Sequence, residues 1–244
     1  AKPSSRLEEI MQADRRRVKA TEDGAEAARL FERYNLVSVP VVDEADRLVG
    51  VLTIDDIVDV IQEQASEEIL ALGGVNPEEE LTDSFWWIAR SRFSWLFVNM
   101  MTAFITSSVL KAFQSELEQM VALAVLGPIV AGQGGNSATQ TMTVAVRALA
   151  TRELTRSNAL RIVLRELAIG AVNGAAFGLV TGIVAANWFQ NVGLGPVMAL
   201  AMFTNLVAGA FGGIVVPLLA DKLEFDPAVA SGPFVTTITD VVGY

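Results

Sequence analysis

A single carboxylate, Asp240, lies within the apolar stretch FVTTITDVVG. If residues 227–244 form a helix, Asp240 lies about 18 Å beyond Ala228, near the middle of a hydrocarbon layer about 30 Å thick. A charged aspartate costs at least about 2.5 kcal/mol there, so we expect it to face a pore or cavity and to pair with a positive charge. The alternative is a protonated side chain bonded to a neighbouring helix. Because no Lys or Arg lies at a comparable depth, the expected partner is a transported cation.

A second apolar stretch, GPIVAGQGGNSATQ at 127–140, carries residues that disturb helices and residues that bind cations. Pro128 removes a backbone donor, and three glycines allow the helix to loosen or another backbone to approach: Gly132, Gly134 and Gly135. Neutral oxygens are offered by Asn136, Thr139 and Gln140. Beside a carboxylate, these groups suit a hard cation that keeps much of its water. Close helix packing is the alternative explanation of the glycines, and it accounts for Gly170, Gly174 and Gly178 but not for Asn136.

A third set of residues is acidic and lies on one face of a predicted helix. Its members are spaced three or four residues apart: Asp56, Asp59, Glu63 and Glu67, with Glu68 beside them. Like charges at this spacing destabilise a helix unless a cation neutralises them, so the row could bind hydrated Mg²⁺ or Ca²⁺. The alternative is an ordinary solvated face.

Composition places these residues in a membrane protein. The chain has 244 residues, of which 52% are hydrophobic, and its net charge is −10. Residues 1–84 carry 9 Lys and Arg against 20 Asp and Glu, a net of −11, whereas the remainder has a net of +1. An acidic soluble part argues against nucleic acid as a partner and favours a cation. Cysteine and histidine are absent, which removes thiol and imidazole chemistry, and we therefore expect no enzyme.

The order of elements predicts a small α/β module, a connecting helix and a helical membrane domain. We assign 1–62 to the α/β module, with a short helix in SRLEEIM, 63–84 to the acidic connecting helix and linker, and 85–244 to five spans. The spans are predicted at 85–113, 120–146, 168–188, 196–220 and 227–244, and the last is expected to be cut short. Five arginines make the second connection cytoplasmic by the positive-inside rule: Arg147, Arg152, Arg156, Arg161 and Arg165. The soluble part is then cytoplasmic too.

Two resemblances follow from these residues. LVSVPVVDEADRLVGVLTIDDIV resembles a CBS module, including the closing signature at Gly50, Thr53 and Asp56. CBS modules work in pairs, so a partner module is expected upstream. GPIVAGQGGNSATQTMTVAVRALATREL and FDPAVASGPFVTTITDVVG resemble the second and fifth spans of the MgtE magnesium channels.

The MgtE resemblance implies a homodimer of the inner membrane whose ion path lies between the second and fifth spans of both subunits. Asp240 would hold a largely hydrated Mg²⁺ in the pore, and the implied lining residues are Gly134, Gly135, Asn136 and Thr236. Cytoplasmic Mg²⁺ on the acidic row would close the pore. Two departures from the family pattern are Gln64, where an acidic residue fits the sensor face, and Gly232, which replaces a polar residue of the pore mouth.

The CBS resemblance implies ATP as a candidate regulatory ligand that contacts Thr53 and Asp56. The alternative is that Thr53 only caps the following helix. For the membrane part, the leading hypothesis is a passive Mg²⁺ channel driven by the membrane potential, with Mn²⁺, Co²⁺ and Ca²⁺ as other candidate ions. A cation-coupled secondary transporter that uses Asp240 as a proton or ion site is the alternative, and a membrane scaffold without transport is a third.

Overall fold

The computed structural model describes residues 16–155 and 157–244, without the side chains of 230 and 231. Two compact units are formed, which divide between Glu68 and Ile69. The helix predicted in SRLEEIM and the predicted cytoplasmic Arg156 lie outside the described residues.

The first unit contains a three-stranded sheet. Its elements are β1 (Val18–Lys19), α1 (Gly24–Tyr34), β2 (Ser38–Val42), β3 (Leu48–Thr53) and the start of α2 (Ile54–Leu72). Strand β2 is central, with β1 parallel on one side and β3 antiparallel on the other. The predicted small sheet at this end of the chain is therefore confirmed.

Helix α1 is held in place by its caps and by one apolar face. The Asp23 carboxylate accepts a hydrogen bond from the backbone N–H of Ala25, and Asn35 ends the helix in a left-handed conformation with φ 48°. Phe31 on this helix is buried with Val39 of β2 and Ile57 of α2. Burying a side chain such as Phe31 contributes roughly 1.5–3 kcal/mol, and these three residues form the centre of the unit.

The second unit is built from helices. They are α3 (Phe85–Ala112), α4 (Gln114–Gln119), α5 (Val121–Ala150), α6 (Ala159–Trp188), α7 (Leu194–Lys222) and α8 (Pro227–Gly243). Among the described residues, three of these helices are long and apolar enough to cross a membrane, namely α3, α6 and α7. Helix α8 has 17 residues, which is the lower limit for a span. The number of five spans therefore stays a prediction.

Helix α2 ends at a glycine that carries its C-terminal cap. The backbone N–H of Val75 donates to the carbonyl of Leu70 at 3.0 Å, and that of Gly74 to the carbonyl of Ala71 at 2.9 Å. Gly74 has φ +70°, and the Trp95 indole of α3 lies where a β carbon of Gly74 would be. This position therefore requires glycine for both its backbone angle and its space.

Helices α6 and α7 pack antiparallel through a row of glycines. An added β carbon on Gly178 would lie 2.6 Å from the carbonyl oxygen of Ala199, and one on Gly182 would lie 2.6 Å from that of Gly195. Gly170 and Gly174 are buried in the same row. Close packing through small residues is typical of spanning helices, so this alternative explanation holds for the third predicted span.

Helix α7 also packs against α5 and α8. A β carbon on Gly213 would lie 2.5 Å from the carbonyl oxygen of Ala138, and one on Gly209 would lie 2.7 Å from that of Gly134. Contacts therefore advance in the same direction along α5 and α7, which run parallel. Helix α8 runs antiparallel to α5, since Tyr244 lies against Gly127 and Thr239 lies near Gly135.

Candidate functional site

Asp240 lies near the end of α8, whose start is fixed by a cap. The Asp226 carboxylate accepts a hydrogen bond from the backbone N–H of Ala228 at 2.8 Å, and Pro227 occupies the first turn. Asp240 lies 13 residues beyond Pro227, which corresponds to about 20 Å along the helix. On the predicted fifth span, this distance would place the carboxylate within the bilayer.

The Asp240 carboxylate is half-buried and unpartnered within the part of the chain that the structure describes. Its backbone carbonyl accepts a bond from Tyr244, but its side chain makes no hydrogen bond and no ion pair there. The alternative of a protonated Asp240 bonded to a neighbouring helix therefore finds no partner among the described residues. An ionised carboxylate in this position needs a cation from elsewhere.

Helix α5 is continuous through the glycine-rich stretch. It runs unbroken from Val121 to Ala150 with Pro128 inside it. The expectation that this stretch loosens the helix is therefore wrong for the single chain. Proline removes one backbone donor, and an otherwise intact helix of 30 residues accommodates that loss. The absent side chain of Gly134 makes room for the Asn205 amide of α7, and the Gly134 carbonyl oxygen lies close to the backbone of α7 at Gly209.

The two faces of α5 differ in character. The face toward α7 and α8 is small and apolar and includes Val130, Ala131, Gly134, Ala138 and Ala145. The opposite face is exposed in the single chain and carries amides and hydroxyls, namely Gln133, Asn136, Thr139, Gln140 and Thr143. The hydroxyls of Thr139 and Thr143 donate to carbonyls one turn earlier, both at 2.9 Å. The amides are left as the available polar groups of this face.

The predicted pore-lining residues separate into two groups. Gly134 is buried against the side chain of Asn205 and Asn136 is exposed, while Gly135 lies between them. A β carbon on Gly135 would lie 3.8 Å from the Thr239 hydroxyl, so α5 and α8 meet here. Asn136 and Asp240 each follow one of these contacting residues, and because the two helices are antiparallel, these two residues lie about 3 Å apart along the helix axis.

Thr236 lies one turn before Asp240 on α8. Its hydroxyl donates to the carbonyls of Gly232 and Pro233, at 3.1 and 3.2 Å. The Thr236 oxygen keeps a lone pair that can accept from a water molecule. Gly232 has open space where a side chain would lie, so the predicted departure at the pore mouth leaves room at this turn.

The acidic row lies on α2 and does not converge on one point. Asp59, Glu63 and Glu68 are exposed and Glu67 is half-buried. Among the described residues there is no group of three or more carboxylates close enough to hold a metal ion. The predicted regulatory Mg²⁺ site would therefore need acidic groups from another surface.

The Asp56 carboxylate is hydrogen-bonded to a residue three positions earlier in the chain. Its carboxylate accepts hydrogen bonds from the Thr53 hydroxyl at 2.7 Å and from the Thr53 backbone N–H at 2.9 Å. These bonds, the hydroxyl bond above all, hold the pKa of Asp56 below its ordinary value of 3.8. Thr53 directly precedes α2, so the pair acts as part of a helix cap, which is the structural alternative to nucleotide binding.

Sequence reasoning missed Asn205 on α7. This residue is completely buried, and its Nδ2 donates to the carbonyl of Val130 on α5 at 2.8 Å. The available signal was a single amide in the mostly apolar stretch MALAMFTNLVAGAFGG. Its partner could not be found from spacing, because Val130 is 75 residues away.

Long apolar helices and a separate α/β unit define the class of integral membrane proteins that carry an additional domain. Residues 127–244 match the family model MgtE, divalent cation transporter, and residues 7–63 match the CBS domain. Residues 127–244 therefore form a domain of the MgtE family of divalent cation transporters, and the resemblance seen in the sequence is confirmed.

Curated relatives in three bacteria are each named magnesium transporter MgtE. The Bacillus subtilis protein is 33% identical over 240 residues, which cover 98% of the chain and 53% of the relative. The Enterococcus faecalis protein is 38% identical, with 90% and 48% covered. The Thermus thermophilus protein is 38% identical, with 100% and 54% covered. The chain spans about half the length of these relatives.

Proposed function

We propose that the chain forms the ion-conducting part of a homodimeric Mg²⁺ channel, together with part of its cytoplasmic regulatory domain. The observation that carries this proposal is the half-buried Asp240 carboxylate, which has no hydrogen-bonding or charged partner among the described residues. It is supported by the relatives, which are named magnesium transporters.

The chemistry of the site favours a hydrated divalent cation. One carboxylate and a unit positive charge 4 Å apart attract by about 4 kcal/mol at an effective dielectric constant of 20. Mg²⁺ sheds its water reluctantly and is bound through few carboxylates, so a single Asp240 carboxylate with neutral oxygens such as the Asn136 amide suits an ion that keeps most of its shell. Selection against Mn²⁺, Co²⁺ and Ca²⁺ would depend on the size of the cavity and on the retained water.

A second copy of the chain would complete the pore. In the single chain, the face of α5 that carries Gln133, Asn136 and Gln140 is exposed. Bilayer lipid cannot satisfy these amides, whereas a second copy and a water-filled path can. The ion path would then lie between α5 and α8 of both subunits, with Asp240 and Thr236 on its wall.

Transport would be passive and directed inward across the inner membrane. The membrane potential supplies roughly 2.3 kcal/mol per charge per 100 mV, which suffices without ATP hydrolysis. Mg²⁺ bound to the acidic row of α2, with further carboxylates from a neighbouring surface, would close the pore from the cytoplasm. ATP bound near Thr53 and Asp56 would be a further regulatory ligand, and its binding would have to displace or reuse the contact between these two residues.

A cation-coupled secondary transporter is the second candidate. It is favoured by the same half-buried carboxylate, because a group without a charged partner can take up a proton. Coupled exchange would give Mg²⁺ flux that depends on a proton gradient, whereas a channel would give a current that follows the potential.

The decisive experiment compares Asp240→Asn with the unchanged protein in proteoliposomes that contain a Mg²⁺-sensitive dye, under an inside-negative potential. We expect uptake with a current in the unchanged protein and a loss of about tenfold or more in the variant, the effect of about 1.4 kcal/mol. Asp221→Asn, an exposed carboxylate at the end of α7, is the matched control and should leave uptake unchanged. Equal uptake by Asp240→Asn would refute the site, and uptake without current that follows a proton gradient would favour the coupled transporter.

A further inference from the structure

The completely buried amide of Asn205 lies where α5, α7 and α8 meet. Its Nδ2 donates to the carbonyl of Val130 on α5. A β carbon on Gly134 would overlap the amide, and one on Gly243 of α8 would lie 2.7 Å from Nδ2. The Asn205 side chain thus fills a notch that exists because residues on two other helices are glycines.

The contacts of α7 reach both helices of the candidate ion site within about a turn of its functional groups. In an α-helix the Val130 carbonyl belongs to the turn that ends at Gly134, two residues before Asn136. On α8, Gly243 comes three residues after Asp240. The notch around Asn205 therefore lies against the turn of α5 that precedes Asn136 and against the turn of α8 that contains Asp240.

Packing alone does not account for an amide at position 205. The Oδ1 atom of Asn205 is buried and has no hydrogen-bond partner among the described residues. A buried acceptor without a donor destabilises a fold, and an apolar side chain of similar size would avoid that penalty. The group that an apolar side chain could not replace is Nδ2, which ties α7 to α5.

We propose that Asn205 is a positioning residue for ion transport, which holds the turn of α5 before Asn136 at a fixed separation from Asp240. This inference rests on the proposed function. Loss of the Nδ2 bond would free the α5 turn while leaving the ion-binding groups themselves in place. The ion site would then become looser, and the dependence of uptake on Mg²⁺ concentration would change.

The first test replaces the amide by an apolar side chain of similar size, Asn205→Leu, in the reconstituted protein. We expect the Mg²⁺ concentration for half-maximal uptake to rise about fivefold or more, the effect of one lost hydrogen bond. Asn187→Leu is the matched control, because Asn187 is exposed and its Nδ2 donates at 2.7 Å to Ile183 within the same helix. This control should leave the half-maximal concentration unchanged.

The second test separates the hydrogen bond from the filling of space. Asn205→Ala removes the amide, and Gly134→Ala adds a methyl group into the vacated notch. We expect the double variant to withstand heating in detergent as well as the unchanged protein does, while its half-maximal Mg²⁺ concentration stays raised. A normal concentration dependence in Asn205→Leu or in the stable double variant would overturn the positioning role.

Variants that fail to fold would also decide whether Asn205 is a positioning residue. If Asn205→Leu and the double variant both aggregate while Asn187→Leu is stable, Asn205 is a structural residue only and the inference is wrong. Failure of the proposed function is recognised separately, because the unchanged protein would then take up no Mg²⁺ or Asp240→Asn would take up as much.

Discussion

Two adjacent glycines of α7 make the packing of this helix against α5 testable. A β carbon on Gly213 would lie 2.5 Å from the Ala138 carbonyl oxygen and 2.8 Å from the Thr141 β carbon. A β carbon on Gly212 would lie 3.4 Å from the end of the Ile238 side chain, which is ordinary contact. The substitutions Gly213→Ala and Gly212→Ala therefore add the same methyl group to the same helix, one against rigid backbone and one against a flexible side chain.

The size of the effect follows from these distances. To bring the new methyl group of Gly213→Ala to 3.4 Å from the Ala138 oxygen, the backbones must separate by about 0.9 Å. A gap of 0.5–1 Å already forfeits roughly a quarter to a half of the dispersion attraction, and overpacking costs about 1–3 kcal/mol. In a membrane, helices are already formed before they pack together, because lipid offers no partners for their backbone hydrogen bonds. The higher helix propensity of alanine therefore offsets little of this packing cost.

The measurement is the fraction of each detergent-solubilised variant that remains monodisperse after heating. A loss of about 1–3 kcal/mol in the free energy of unfolding lowers the midpoint temperature of the heating curve by roughly 2–12 °C for a protein of this size. We expect such a fall for Gly213→Ala and a change of about 2 °C or less for Gly212→Ala. Equal midpoints for the two variants would refute the close contact between α5 and α7.

Two further predictions concern the soluble unit and the linker. Asp56→Asn should destabilise the α/β unit at neutral pH, because the hydrogen bonds from Thr53 hold the pKa of Asp56 below its ordinary value. This stabilisation is present above the ordinary pKa and is lost as the pH falls through the lowered pKa, so the difference in melting temperature between the variant and the unchanged protein, followed by circular dichroism, should disappear in acid. A difference that stays constant with pH would contradict this cause. Gly74→Ala should lower the free energy of unfolding by about 1–2 kcal/mol because of the positive φ, and further because the new methyl group overlaps Trp95. Adding Trp95→Ala should restore only the part that is due to the overlap. Complete recovery of stability would mean that the backbone angle is unstrained.

Hydropathy predicted the places of the long helices but not their ends. The third predicted span, 168–188, belongs to a helix that begins at Ala159. Its first turns contain Arg161 and Arg165, which are helical but not apolar, so a hydropathy pattern marks only the part that can enter a bilayer. The same limit applies to α5, which continues four residues beyond the predicted Val146.

The sequence predicted Asp240, the charged residue of the candidate site, but not Asn205, which packs beside this site. Asp240 stands out because a carboxylate in an apolar stretch has few structural explanations. Pro128 and the glycines left two expectations open, a loosened helix or a close approach, and the helix is continuous because such residues permit irregular backbone without requiring it. Asn205 is invisible to patterns within one helix, because its role depends on a carbonyl of another helix and on two glycines that only the fold brings together.

The glycine row of α6 brings this helix close to the backbone of α7. Rotation of α6 about its axis would bring larger residues to this contact, where even a β carbon on Gly178 or Gly182 would lie 2.6 Å from a carbonyl oxygen of α7. The two helices are therefore expected to move as one rigid unit. When the bilayer thins or thickens, we expect α6 and α7 to tilt together.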